Sequence, residues 1–140
     1  MRWLTRHAKV LLAVYAVFLG LALLSPSSDL QSDSVAVLGR WLYDLGVPYH
    51  LAPQLRLEFL MNAVIIAPVP FLGSMILPQY TWRDWTALGF TGALTVEALQ
   101  GLLLPDRSAT YTDVVANTLG AFIGAGLAEL SRRSLRARVA

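Results

Sequence analysis

The stretch VEALQGLLLPDRSATYTDVVANTLGAFIG, residues 96–124, carries Glu97, Gln100, Arg107, Asp113 and Asn117 between apolar flanks. Glu97 and Asp113 are carboxylates, suited to general acid or base work. Arg107 presents a planar fork that can grip a phosphate or carboxylate through two parallel bonds. Gln100 and Asn117 can donate and accept hydrogen bonds, as can Asn62 further upstream. Other chemistry is restricted. The chain has no cysteine, which excludes disulfides, thiolate metal sites and a thiol nucleophile. Ser108, Thr110 and Thr112 have no histidine beside them in sequence, so no nucleophile–base pair is signalled. No metal and no cofactor is expected.

The elements that must hold these residues are strongly apolar. Of 140 residues, 56% are hydrophobic and 14% charged, and the mean hydropathy is +0.55. A soluble domain of this size would need more charge to cover its surface. The net charge is only +2, from 11 basic and 9 acidic side chains. No basic patch interleaves with aromatics, so nucleic acid is not an expected partner. Four apolar segments stand out, at about 8–24, 59–77, 85–104 and 114–130. A helix needs roughly 17–20 residues to cross the hydrocarbon core. The first segment reaches that length once Ala8 and a snorkelling Lys9 are counted. The expected fold class is all-α, a single domain over 1–140: an integral membrane bundle of four transmembrane helices with a further helix in the first outer connection.

The opening MRWLTRHAK, the apolar run and the following SPSS also fit a signal peptide. The run is at the top of the signal-peptide range and no clear A-x-A follows, so an uncleaved anchor is the expectation. Basic residues set orientation. Arg2, Arg6 and Lys9 precede the first span, and Arg132, Arg133, Arg136 and Arg138 follow the last. Between the first two spans Asp29, Asp33, Asp44 and Glu58 outweigh Arg40 and Arg56. Both termini are therefore expected in the cytoplasm. Within that outer connection Leu38, Trp41, Leu42 and Leu45 recur at helical spacing. Asp33 or Ser34 could cap this helix, about 34–45, and Gly46 and Pro48 would stop it. It would lie on the outer leaflet or dock on the bundle.

Two stripes of mostly small residues bear on the polar positions. Gly89, Ala93, Glu97 and Gly101 share one helix face, and Asp113, Asn117, Gly120 and Gly124 share another. Small residues at this spacing let helix backbones approach in lipid. A short loop joins the two spans, so the stripes are expected to face each other. Gly120 would then lie beside Glu97, ~10 Å below the outer end of its span, and Gln100 would lie level with Asn117.

Most of these residues have a plain structural duty available. Asp113 could cap the last span, and Arg107 could anchor at the interface. Gln100 and Asn117 could tie helices together. Pro68 and Pro70 should kink the second span, with Asn62 placed to satisfy a freed carbonyl. Glu97 fits no such duty. An acid deep in a span costs about 2.5–3.5 kcal/mol on insertion scales. Protonation or a cationic partner such as Arg107 would offset that. Glu97 is therefore expected to be functional.

Taken together, Glu97-x-x-Gln100, Pro105, Arg107 and Asp113-x-x-x-Asn117-x-x-Gly120 resemble the signature of the VanZ-like family. The upstream NAVIIAPVP is similar to that family's N-x-x-x-F-x-P-x-G element through Asn62 and Pro68. It departs where Ile66 replaces the aromatic and Pro70 the glycine. The resemblance covers roughly 55–130. It implies a small bacterial inner-membrane protein linked to resistance to teicoplanin, a lipoglycopeptide that binds wall precursors, or to envelope maintenance. It implies no particular reaction.

Four functions fit these residues. The favoured one is a binding or modifying site open to the outer leaflet. There Glu97 and Asp113 would meet a polar head group and Arg107 its phosphate or carboxylate. Membrane lipids, a lipid-linked wall precursor or a lipoglycopeptide are the candidate partners. A membrane-embedded hydrolase or transferase would use Glu97 or Asp113 as acid or base. A proton-coupled small transporter is the third, disfavoured because the first span has no acid and Glu97 is not midway along its own. The last is a structural adaptor with Gly120 and Gly124 as its contact face.

Overall fold

The computed structural model describes residues 2–23, 29–103 and 110–137. Among these, six helices and no strand are present: α1 Arg2–Leu23, α2 Asp29–Asp44, α3 Gln54–Ile66, α4 Pro68–Ile76, α5 Trp82–Leu103 and α6 Tyr111–Ala137. The apolar segments correspond to α1, α3 with α4, α5 and α6. Among the described residues, two stretches are long and apolar enough to cross a membrane, Gln54–Ile76 and Tyr111–Ser134. Only 22% and 39% of their apolar windows are buried within the chain. A soluble core helix would be mostly covered, so these surfaces face another apolar medium or partner. The threonines fit such surroundings. Thr86, Thr91, Thr95 and Thr118 each donate to the carbonyl four residues back, at 2.7–2.9 Å. Their hydroxyls are satisfied within the helix.

The core sits around α6, which packs on α3, α4 and α5, while α1 packs on α4 and α2 on α3. It is built largely from small side chains: Ala63, Ala93, Ala116, Ala121, Ala125 and Ala128 are all buried. With so little side-chain volume, backbones touch directly. A Cβ added at Gly120 would collide with the Ala63 carbonyl, and one at Gly124 with the Ala67 carbonyl. Both contacts share one residue offset, so α3–α4 and α6 run parallel.

This corrects the expected pairing of the two stripes. Gly120 and Gly124 face the kinked α3–α4 pair, and no space beside Glu97 depends on Gly120. On α5, Gly89 meets Ala121 instead, and Gly101 is exposed. The physical reason is that the α3–α4 stretch has its own pair of small residues, Ala63 in α3 and Ala67 at the bend, at the same four-residue spacing.

The apolar stretch Gln54–Ile76 bends at Ala67, between α3 and α4. Pro70 lacks the N–H that would continue the ladder, and Pro68 begins the new helix. The Tyr15 hydroxyl of α1 donates to the Ile65 carbonyl at 2.5 Å, so the bend is braced from α1. Asn62 turns elsewhere, as described below. Helix α2 starts at Asp29, earlier than expected, and docks on α3. Val35 is buried, and a Cβ on Gly39 would lie 3.3 Å from Leu57. Trp41 and Leu45 remain exposed. Gly46 ends the helix with φ +87°, and the Val47 N–H bonds the Leu42 carbonyl at 2.9 Å. Glycine takes that left-handed turn without a Cβ penalty.

Candidate functional site

Two Thr-x-x-Asp sequences begin helices, and comparing them defines the site. At α5, Thr81 and Asp84 form a self-contained capping box. The Thr81 backbone N–H and hydroxyl donate to Asp84 at 2.7 and 2.8 Å, and the Asp84 N–H donates back to the Thr81 hydroxyl at 3.4 Å. The Thr81 N–H, followed by its hydroxyl, holds the Asp84 carboxyl below its ordinary range.

At α6 the same pattern is opened out. The Thr110 hydroxyl donates to Asp113 at 2.7 Å and accepts the Asp113 N–H at 3.2 Å. The Thr110 backbone N–H, however, donates to Glu97 of α5 at 2.9 Å. The Asp113 oxygen left over accepts from Asn62 of α3 at 2.6 Å. One helix start thus joins three helices. Glu97 is 9% exposed. Free N–H groups and the positive end of the α6 dipole favour a carboxylate there. The sequence offered Glu97 no structural duty, and the fold supplies one: a cap borrowed across helices.

The remaining candidates fall around this joint. Asp113 sits in the first turn of α6 and accepts with both oxygens, one from the Thr110 hydroxyl and one from Asn62, which makes it a link between α3 and α6. Asn62 serves Asp113 and not the proline bend. Gln100 is half-buried one turn beyond Glu97. Asn117, one turn inward from Asp113, is half-buried and makes no hydrogen bond among the described residues. It lies instead in the wall of an apolar cavity of about 240 Å³ between α1, α4, α5 and α6. Arg107 and Pro105 lie outside the described residues. Sequence reasoning passed over Thr110, although Thr-x-x-Asp before an apolar run is a start signal that could have flagged it. Tyr15 gave no such signal.

The family model for VanZ/LLP1 matches residues 9–132, nearly the whole chain. The chain belongs to the VanZ/LLP1 family. No curated protein and no solved structure matches it. Membership, together with the two apolar stretches, points to a membrane protein related to glycopeptide resistance. In this VanZ/LLP1 chain the residues of the family-like motif, Asn62, Glu97 and Asp113, are the ones that the α6 start ties together.

The opposite end of the bundle is closed by Arg132. Its guanidinium donates to the Ser74 carbonyl in the last turn of α4 at 3.1 Å and pairs with Glu129 at 2.9 Å. A basic side chain suits a helix C-terminus. The Ser74 hydroxyl, the Trp85 indole N–H and the Arg132 Nε are buried there without partners among the described residues. A buried hydroxyl without a partner costs about 1–3 kcal/mol. Ser74→Ala is therefore expected to leave stability unchanged or raise it by up to about 1 kcal/mol, read from thermal melting in detergent. A loss beyond that would mean the hydroxyl is engaged.

Proposed function

We propose that the chain is a four-span protein of the bacterial cytoplasmic membrane, with both termini cytoplasmic. In this reading the α6 start is an outer-leaflet site for the anionic head group of an envelope lipid or lipid-linked wall precursor. The observation that carries it is the joint itself: polar groups from α3, α5 and α6 meet at one end of an otherwise apolar bundle. At the other end Tyr80 and Trp85 make a ring contact and Arg132 reaches the Ser74 carbonyl, aromatic and basic residues of the kind that suits a cytoplasmic interface. Four helix passes running alternately up and down place the termini on one side.

Arg107 is the cation of this site. Only Ser108 and Ala109 separate it from Thr110 in the sequence. Its fork suits a phosphate or carboxylate. Glu97 and Asp113 fix the helix start that follows Arg107 in the sequence. Through that site the protein would protect against teicoplanin-type lipoglycopeptides, by binding the drug's lipid-bearing form or the precursor it targets.

The test compares wild type with Arg107→Ala at matched expression in a sensitive Gram-positive host, scoring teicoplanin and vancomycin side by side. Protection against teicoplanin alone is expected, lost in Arg107→Ala. A well-expressed wild type that gives no protection would remove the resistance role. Protection undiminished in Arg107→Ala would remove the site.

A further inference from the structure

The cavity beside Asn117 has features that the polar joint does not account for. It runs along α5 from Trp85 to Val96, about 16 Å of helix at 1.5 Å per residue. Leu19 of α1 and Ala121 of α6 close its other sides. The lining has no charged residue. Helix α1 packs on α4 but makes no comparable contact with α5, so the cavity lies behind a seam between α1 and α5. Gly92 lines it as well, and a Cβ there would meet nothing within 4 Å. This glycine leaves space, whereas the space at Gly89, three residues earlier on the same wall, is filled by Ala121.

We propose that this cavity holds one acyl chain of a membrane phospholipid, which enters sideways through the seam between α1 and α5. The inference rests on the membrane-spanning reading above. Apolar cavities stay dry and take apolar guests, and beside a span the neighbouring medium is hydrocarbon. An unfilled void forfeits dispersion contacts along its whole lining. At roughly 30 Å³ per water-sized unit, the volume suits a single chain of about eight carbons and is too slender for a helix from a second copy. Asn117 lies one turn inward from Asp113, so the chain's head would sit beneath the polar joint. Asn117 could donate to the ester carbonyl where chain meets head group.

The protein would be reconstituted in phosphatidylglycerol nanodiscs with a phosphatidylglycerol carrying a diazirine midway along one acyl chain, and the photo-adducts mapped. Adducts are expected to concentrate on Leu19, Gly92, Val96 and Ala121. Gly92→Phe should cut them about tenfold, since a filled, close-packed cavity excludes the chain. Leu19→Trp, from the opposite wall, should do the same should Gly92→Phe melt early. Gly126→Phe, at another open glycine, should leave the adducts unchanged. Adducts spread evenly over the exposed helix faces and indifferent to Gly92→Phe would overturn the inference, as would adducts joining two copies of the chain. Teicoplanin protection without cavity adducts would sink the cavity alone. Cavity adducts without protection would sink only the resistance role.

Discussion

Gly124→Val should be among the most damaging single substitutions in this chain. At Gly124 a Cβ would enter the space of the Ala67 carbonyl oxygen, with the Ala67 carbonyl carbon and Pro70 also within 2.9 Å. These neighbours are mostly backbone, held at the bend between α3 and α4, and cannot rotate away. Helix α6 would have to retreat along the line on which it meets α3–α4, weakening the contact at Gly120 too. Overpacking of this kind costs about 1–3 kcal/mol and sometimes more, and the upper end is expected because backbone meets backbone. Gly126→Ala, where an added Cβ meets nothing, should stay within about 0.5 kcal/mol of wild type. Thermal melting of the purified protein in one detergent reads both. A Gly124→Val protein melting with wild type would show that α6 does not rest on Ala67.

Glu97 should separate stability from function according to what replaces it. Glu97→Ala removes the acceptor for the Thr110 N–H at a half-buried helix start. Leaving such a donor unmatched costs about 1–3 kcal/mol, and the emptied volume adds to it. Glu97→Gln keeps a carbonyl oxygen in nearly the same place, so the cap and most of the stability should survive while the negative charge is lost. Asp84→Ala at the self-contained box of α5 is the reference, with a cost of about 1 kcal/mol, typical of a lost cap. The expected order of melting temperature is wild type, Glu97→Gln, Asp84→Ala, Glu97→Ala. If Glu97→Gln melts as low as Glu97→Ala, the charge itself holds the joint. Teicoplanin protection retained in a stable Glu97→Gln would confine Glu97 to structure.

The positions that sequence reading misjudged share one origin. Helical spacing put Asp113, Asn117, Gly120 and Gly124 on one stripe, but spacing does not say which helix each of them meets. Chain order suggested α5, the next neighbour. The bend at Ala67 and the Ala63–Ala67 pair made α3–α4 the closer fit. For the same reason Asn62 was assigned to the proline bend in its own helix, although its partner Asp113 is 51 residues away. The start of α6 was legible in Asp113 itself; that the Thr110 backbone N–H leaves for Glu97 was not.

The sequence by itself determined the helices. Length and hydropathy accumulate along the chain, and Gly46, the prolines and the two Thr-x-x-Asp starts mark ends through local backbone geometry alone. It also marked Asn62, Glu97, Gln100, Asp113 and Asn117 as polar groups that an apolar bundle must place with care. Only the tertiary structure decided where they go. It set Glu97 on the start of α6, Asn62 on Asp113, and Asn117 in the wall of a cavity. Those outcomes depend on the relative height of packed helices. That height is fixed by backbone contacts between small residues far apart in the chain, which no local pattern encodes.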